Sequence, residues 1–341
     1  MNKMTTTAYK VENLPPPPQG RTGWPWTEGS TVIENDGNLP RISVVTPSYN
    51  QVAYLEETIR SVLLQGYPNL EYLVIDGGSN DGSVEIIKKY ADYLTYWVSE
   101  KDRGQSDALN KGFRRATGDF VGWQNSDDCY SKDAFSQLLK ASQQFPDIDI
   151  FYGSTQHIDA QSNLIEPYPV GEFDIHHLIP HINMCNQAMF FRGKIFQTGQ
   201  FIDESYQHAM DQEFLLRLAL EKYQFKFVPG IQGTYRIHGA SKMVYQQEIC
   251  AREIGQIYRW LHRDSRSPES LKQRAISVYQ GLCRYQFGTY QLPLFAESYA
   301  ELKQLDALTP GLVARYALFQ LGPDSVKAAT KFKRLIRGEK R

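Results

Sequence analysis

From residue 41 onward, short apolar runs alternate with stretches in which apolar side chains recur at helical spacing. The β-branched run ISVVTP, 42–47, predicts a strand that ends at a proline. An amphipathic helix is predicted at 53–65, where the apolar face consists of Leu55, Ile59, Val62 and Leu63. Similar patterns predict strands at 70–76, 94–100, 119–123 and 147–153, and helices at 83–94, 106–116 and 134–145. The alternation predicts an α/β fold in which helices cover both faces of a mostly parallel sheet.

The pattern is less regular after residue 153. MFFR (189–192) and KFVPG (226–230) predict strands, and 210–223 predicts a helix. Beyond Met243 the chain reads as mostly helical to its end. We therefore predict three regions, namely a leader at 1–39, an α/β domain at 40–242 and a helical region at 243–341.

The leader is polar and contains four consecutive prolines, 15–18, which favour extended backbone and forbid a helix. Its two tryptophans, Trp24 and Trp26, are predicted to anchor the leader to the body of the protein.

Composition narrows the function only by exclusion. The 341 residues carry a formal net charge of −1, so no overall attraction to nucleic acid is expected. The four cysteines form no CxxC pair, which argues against a zinc site and a disulfide framework. No apolar run is long enough to span a bilayer, and the N-terminus lacks the apolar core of a secretion signal. A cytoplasmic location is expected.

The segment VKAATKFKRLIRGEKR, 326–341, is distinctly basic. A solvated terminal helix is the favoured interpretation. The alternative is peripheral attachment to the anionic inner face of the cytoplasmic membrane.

Polar residues cluster where four predicted strands end. These ends read TPSYN, DGGSNDGS, SEKDRGQSD and NSDD. Asp, Asn and Gly are ordinary turn residues, but their recurrence at one edge indicates a ligand site, because ligands of parallel α/β sheets collect there. GxGxxG, GxxxxGK[ST] and GxSxG motifs are absent, which disfavours dinucleotide-binding enzymes, P-loop hydrolases and α/β-hydrolases.

The adjacent carboxylates Asp127 and Asp128 suit a hard divalent cation, Mg²⁺ or Mn²⁺. A metal-assisted displacement also needs an acid that takes a proton from the attacking group. Asp211, at the start of a predicted helix, is the best candidate. Its alternative role is to stabilise the dipole of that helix.

The ordered segments ISVVTPSYN, VIDGGSNDGS and DRGQSDALNKGFRRATGDFVGWQNSDD resemble the inverting family 2 glycosyltransferases of GT-A (Rossmann-like) fold. That family has a PxYN strand end, a DDGSxDGS-like segment, a GxxxAxNxG helix and a DxDD-like metal motif. The resemblance covers about 40–130 closely and extends to about 240 through NQAMFFR, DQEFLLR and YRIHGAS.

The resemblance implies roles at the nucleotide end of the site. Pro47 and Tyr49 match the segment that lines the nucleobase pocket, and Asp76 matches an acid that accepts a hydrogen bond from the base. Gly77 stands where the family has its next acid, so one contact is lost. Gly104 and Asn110 match the helix segment beside the sugar and phosphates.

Further roles follow for the metal and catalytic residues. Asp127 and Asp128 match the metal and diphosphate motif, and Asn125 replaces an acid near the nucleotide. Asp211 matches the catalytic base, preceded by Met210 where the family has a second acid. The matched region that closes over the diphosphate contains Arg236 and His238; His238 is expected to contact metal or phosphate, or to be a structural histidine.

The function implied is transfer of a sugar from a nucleotide-sugar donor, most readily UDP-linked, to a hydroxyl of a saccharide or lipid-linked acceptor. A metal would assist a single displacement with inversion, in polysaccharide or glycoconjugate biosynthesis. Two alternatives stay open. A sugar-nucleotide pyrophosphorylase is disfavoured because TPSYNQVAYLEE lacks a basic residue. A non-catalytic nucleotide-binding subunit is supported only by the departures at Asn125 and Met210.

Overall fold

The computed structural model describes residues 7–35, 37–179, 184–239 and 247–337. These residues form two compact units. The first contains 7–174 and 184–239, and the second contains 175–179 and 247–337.

A mixed sheet forms the centre of the first unit. Its described strands are β1 (Ile42–Ser48), β2 (Leu70–Asp76), β3 (Tyr96–Ser99), β4 (Phe120–Trp123), β5 (Cys129–Tyr130), β6 (Ile150–Ile158), β7 (Leu164–Tyr168), β8 (Met189–Arg192) and β9 (Phe225–Arg236). Hydrogen-bonded neighbours follow the order β3-β2-β1-β4-β8-β6-β9-β5, and β7 pairs with β6.

Helices flank the sheet. They are α1 (Leu55–Leu63), α2 (Ser83–Lys89), α3 (Gln105–Arg115), α4 (Ala134–Gln144), α5 (Lys194–Gln197) and α6 (Met210–Leu220). The predicted apolar face of α1 is fully buried, as its spacing requires. Burial of each such side chain contributes about 1.5–3 kcal/mol to the hydrophobic stabilisation.

The sheet is parallel on one side and mixed on the other. β2–β3, β1–β2 and β1–β4 are parallel pairs, as the alternating pattern predicts. β8, however, runs antiparallel to both of its neighbours, β4 and β6. β5 and β7 are short strands that pair antiparallel with β9 and β6. The apolar pattern of the sequence did not predict them.

Helix α3 packs against β1 at a position where Gly112 has no side chain. A Cβ built at Gly112 would lie 2.2 Å from Cγ1 of Val45, well inside van der Waals contact. The glycine of the NKG segment therefore determines how closely α3 approaches the sheet.

The leader is fastened to the first unit, as predicted from its tryptophans. Nε1 of Trp24 donates to the carbonyl of Tyr130 at 3.0 Å, and Trp26 is buried. The fully buried Arg60 donates to the carbonyls of Pro15, Pro25 and Trp26 at 2.8–3.0 Å. The guanidinium thus lies among three leader carbonyls.

The second unit is helical, as predicted. Its described helices are α7 (Gln247–Arg263), α8 (Glu269–Gly288), α9 (Leu292–Gln304), α10 (Pro310–Gln320) and α11 (Pro323–Arg337). Its buried residues include Tyr258, Leu271, Tyr279, Phe295 and Leu312. Among the described helices, none is both long and apolar enough to cross a membrane. The last four residues of the basic segment lie outside the described ranges.

Candidate functional site

The carboxyl ends of three parallel strands lie side by side in the first unit. In the sheet register Ser48 is opposite Asp76, and Asp76 is opposite Ser99. The hydroxyl of Ser99 donates to Oδ2 of Asp76 at 2.6 Å. The predicted convergence of polar strand ends is therefore present.

Asp76 organises the loop that follows β2. Its Oδ2 accepts from the backbone amides of Gly78 and Ser79 at 3.1 and 2.9 Å, and its Oδ1 accepts from the Ser79 hydroxyl at 2.5 Å. Together with Ser99, these donors occupy the roughly four acceptor positions of a carboxylate. The side chain is fully buried.

Tyr49 differs from its neighbours in being exposed, at 61% of its surface, whereas Pro47 is buried within β1. The loop that carries Tyr49 is tied to the β2–α2 loop, because Asn50 donates its amide to Ser79 Oγ and accepts from the amide of Asn80. Tyr49 thus presents an aromatic face on a braced loop.

Gly104 and Asn110 hold α3 in place. Gly104 has φ +113°, a backbone conformation that favours glycine, and stands directly before α3. Asn110 is buried, with its Nδ2 on the carbonyl of Ile202 at 2.8 Å and its Oδ1 accepting the Ile202 amide at 3.0 Å. Asn110 therefore clamps the segment that leads toward α6.

Asp127 and Asp128, although adjacent, face different surroundings. Asp128 is buried and accepts from Nε2 of Gln187, the amide of Arg236 at 2.7 Å and Nδ2 of Asn125 at 3.1 Å. Burial, followed by the charge of Asp127, raises the pKa of Asp128 well above its ordinary value. Asp127 keeps 23% of its side chain exposed.

Asn125 fits its position as an amide. Its Oδ1 accepts from Nε1 of Trp123 at 2.9 Å and from Nε2 of Gln105 at 2.8 Å, while its Nδ2 faces Asp128. An acid here would place a second carboxylate against Asp128.

His238 lies against Asp127. Its Nε2 is 3.1 Å from Oδ2 of Asp127, and its ring packs against Tyr54 with centroids 4.7 Å apart. Both alternatives predicted for His238, contact with metal or phosphate and a structural role, agree with this position beside a partly exposed carboxylate.

Arg236 acts on the site indirectly, by holding the residues around it. Its guanidinium is fully buried and donates to Glu57, to Ser162 and to the carbonyls of Asp127 and Asp159. The side chain therefore positions the Asp127 backbone and does not face solvent.

Asp211 begins α6 as its second residue, and Oδ1 accepts the amide of Gln212 at 2.8 Å. The charge of Asp211 acts on the same phenol as the charges of the carboxylate pair, that of Tyr235. Burial and then the charges of Asp128, Asp127, Cys185 and Asp211 raise the pKa of Tyr235 to about 12. The three acids thus lie within electrostatic reach of one phenol. Met210, beside the base candidate, is buried and accepts from the Ser106 hydroxyl.

The donor set fits a divalent cation that also binds a ligand. Within the described residues no group of three His, Cys, Asp or Glu side chains could by itself hold a metal. Asp127 and His238 nevertheless place two ligating atoms 3.1 Å apart, and neighbouring ligands of one octahedral cation are about 3 Å apart. Diphosphate oxygens and water would complete such a shell.

Three contributors were missed from sequence. Gln187 and Tyr235 belong to NQAMFFR and YRIHGAS, segments that carried part of the resemblance. Asp102, in SEKDRGQSD, lies against Gly77. The missing acid at Gly77 was the available signal that another acid could be needed there. The fold shows that this acid is Asp102.

Sequence relatives agree with this picture. A family model described as Glycosyl transferase family 2 matches residues 43–199. An uncharacterised glycosyltransferase of Mycobacterium tuberculosis is 32% identical over 192 residues, which are 54% of this chain and 70% of that protein. Chondroitin synthase of Escherichia coli is 25% identical over 213 residues, covering 62% of this chain and 31% of the synthase.

Solved structures share the fold. S. aureus TarS 1–349 in complex with UDP-GlcNAc superimposes with a TM-score of 0.65 at 16% identity, covering 87% of this chain and 92% of TarS. The mannosyltransferase PcManGT from Pyrobaculum calidifontis, in complex with GDP-Man and Mn²⁺, gives 0.54 at 19% identity, covering 91% and 88%. The mixed sheet flanked by helices is the GT-A fold. Because its sequence matches the family model and is 32% identical to a relative named as a glycosyltransferase, the chain belongs to glycosyltransferase family 2 and is a glycosyltransferase.

Proposed function

We propose that this glycosyltransferase moves a sugar from a UDP-linked donor to an acceptor hydroxyl, with inversion at the anomeric carbon. The observation that carries the proposal is the partly exposed Asp127 carboxylate, which lies 3.1 Å from Nε2 of His238. In this proposal Asp127 and His238 supply ligands to a cation, and Asp211 accepts the proton.

Donor binding uses the strand-end edge. Tyr49 offers an exposed ring on which a base can stack. Asp127 would hold Mn²⁺ or Mg²⁺ together with His238, which takes the place of the Asp128 expected from sequence, because both oxygens of the buried Asp128 already accept hydrogen bonds. When bound, the cation neutralises negative charge on the departing diphosphate. Arg236 keeps Asp127 in place, because its Nε donates to the Asp127 carbonyl at 2.7 Å while its own amide donates to Oδ1 of Asp128.

Asp211 acts as the general base. The acceptor oxygen forms a bond to the anomeric carbon while the bond from that carbon to the diphosphate oxygen breaks. The acceptor proton passes to the Asp211 carboxylate, and the bonding electron pair leaves with the nucleoside diphosphate. One displacement inverts the configuration, and no covalent enzyme intermediate is needed.

Two solved neighbours support the donor class and the metal. TarS has been seen with UDP-GlcNAc, and PcManGT with GDP-Man and Mn²⁺. Because chondroitin synthase is a relative, we extend the proposal to a saccharide or lipid-linked acceptor in polysaccharide biosynthesis.

The test is release of nucleoside diphosphate. The full chain is incubated with UDP- and GDP-sugars, Mn²⁺ and a panel of saccharide and lipid-linked acceptors. We expect acceptor-dependent release of UDP and a product of inverted configuration by NMR. Retained configuration would refute the mechanism, and transfer only from GDP-sugars would refute the donor.

A further inference from the structure

Gly77 leaves a space that Asp102 fills. A Cβ built at Gly77 would lie 2.6 Å from Oδ2 of Asp102 and 3.0 Å from its Cγ. The carboxylate of Asp102 therefore stands where a side chain at 77 would begin. The two residues come from neighbouring strand ends, after β2 and after β3, and are 25 positions apart in sequence.

The position is part of the nucleobase end of the site. The amide of Gly77 donates to the carbonyl of Ser48 at 2.8 Å, so Asp102 lies against the chain that leads directly to Tyr49. Tyr49 is the exposed aromatic residue of this edge. A carboxylate and a stacking surface are thus carried by adjacent loops.

Asp102 has acceptor capacity to spare. Its Oδ1 accepts the amide of Gly104 at 2.9 Å, and within the described residues its Oδ2 accepts no hydrogen bond. The side chain is half-buried, so it is held in place yet reachable. The turn at Gly104, with its positive φ, brings that amide onto Oδ1 and orients the carboxylate.

Asp76 does not have this capacity. Donors from Gly78, Ser79 and Ser99 already occupy its two oxygens, and the side chain is fully buried. A base that approached Asp76 would have to displace part of the loop that Asp76 organises. Another acceptor is therefore needed beside it.

Resting on the proposed UDP-linked donor, we infer that Asp102 is the specificity-determining acid that accepts N3–H of the uracil. A carboxylate only accepts, so it pairs with the N3–H of uracil and opposes the unprotonated N3 of cytosine. The acid missing at Gly77 is thereby supplied from the β3–α3 loop.

The experiment compares binding of UDP, N3-methyl-UDP and CDP to the full chain by calorimetry with Mn²⁺ present. The wild type should bind UDP about ten- to a hundredfold more tightly than either analogue, the range expected for one charge-assisted hydrogen bond. Asp102→Ala should weaken UDP by that factor and leave the analogues almost unchanged, so that the ratio falls toward one.

A double variant that exchanges the residues at positions 77 and 102 separates loss of the contact from misfolding, because it is expected to regain binding. Gly77→Asp combined with Asp102→Gly returns an acid to position 77 and removes the one that would clash with it. This double variant should regain preference for UDP over N3-methyl-UDP, whereas Gly77→Asp alone should bind UDP poorly. Asp102→Asn preserves volume and can present an N–H to cytosine, so it should shift the UDP/CDP ratio toward CDP.

Glu100→Gln is the matched control. Glu100 lies on the same loop, is half-exposed and forms an ion pair with Lys111 at 2.8 Å, so its replacement removes one negative charge near the site. It should keep the wild-type ratios. An unchanged UDP/N3-methyl-UDP ratio in Asp102→Ala would overturn the role of Asp102 while leaving the donor proposal intact. Failure of the wild type to bind UDP would overturn both.

Discussion

Nε2 of His238 lies 3.1 Å from Oδ2 of Asp127, although 111 positions separate the two residues. β9 brings them together, since Thr234 and Gly233 on that strand pair with the residues that directly follow Asp128. The hydrogen-bonded ladder therefore fixes the spacing of the two candidate metal ligands.

Asp127→Ala and His238→Ala are each expected to lower Mn²⁺ affinity in the presence of UDP, measured by calorimetry, and to abolish or strongly reduce transfer. Loss of a ligand removes both charge compensation and orientation of the diphosphate. EDTA should have the same effect on the wild type, reversed by Mn²⁺. Asp147→Ala, at an exposed carboxylate of the same unit, is the control. Full metal affinity in both site variants would place the cation elsewhere.

Asp211→Asn should lower kcat by about 10²- to 10⁴-fold, the usual contribution of a general base. UDP and Mn²⁺ affinity should be retained, because the amide keeps the volume of the side chain and Asp211 lies on the acceptor side in the proposed mechanism. Steady-state kinetics with a true acceptor measures the change. Equal kcat in variant and wild type would rule out this residue as the base.

Asn125→Asp should leave transfer measurable but reduce stability increasingly as the pH rises. The new carboxylate would replace the amide group 3.1 Å from Asp128, whose pKa burial already raises. A carboxyl pKa that is higher in the folded than in the unfolded chain means that folding retains protons, so stability falls as the pH passes from the unfolded toward the folded pKa. The Tm difference from wild type should therefore widen between pH 5 and pH 8. A constant difference would contradict this coupling.

Gly112→Ala should destabilise the first unit by about 1–3 kcal/mol, the usual cost of overpacking. The added methyl would meet Val45 Cγ1 at 2.2 Å. Urea unfolding gives the change in free energy. Val45→Ala makes room for the methyl, so the double variant should be more stable than the sum of the single effects predicts. Strict additivity would show that the two sites do not touch.

Arg60→Met should destabilise the protein by on the order of 3 kcal/mol, because hydrogen bonds from a charged donor each contribute about 1.5–3 kcal/mol. Three leader carbonyls would lose their donor, and Tyr90 would lose a hydrogen bond of 3.0 Å. Limited proteolysis should then cleave the leader sooner. A leader that stays equally protected would mean that its tryptophans suffice.

The strand ends and their order could be predicted because apolar periodicity marks strands and turn residues mark their ends. The orientation of individual acids could not. Asp127 and Asp128 look equivalent in sequence, but Asp128 is enclosed by donors that include Gln187, 59 positions later, and the amide of Arg236. The length of β9 was underestimated for a related reason. Beyond the predicted end at Gly230 it contains Gly233 and Thr234, which weaken the apolar signal although the ladder continues through them.

Helix α3 connects the proposed nucleobase contact to the segment that positions the proposed base. The loop before it carries Asp102 and Gly104, while its buried face holds the segment toward α6 through Asn110 on Ile202 and Ser106 on the carbonyl of Tyr206. A change of loop conformation that favours a different nucleotide would also shift α3 and so displace the segment that positions Asp211. Altered donor preference should thus be sought by exchanging side chains on an unmoved helix, and loop transplants from other enzymes should lose turnover before they gain a new donor.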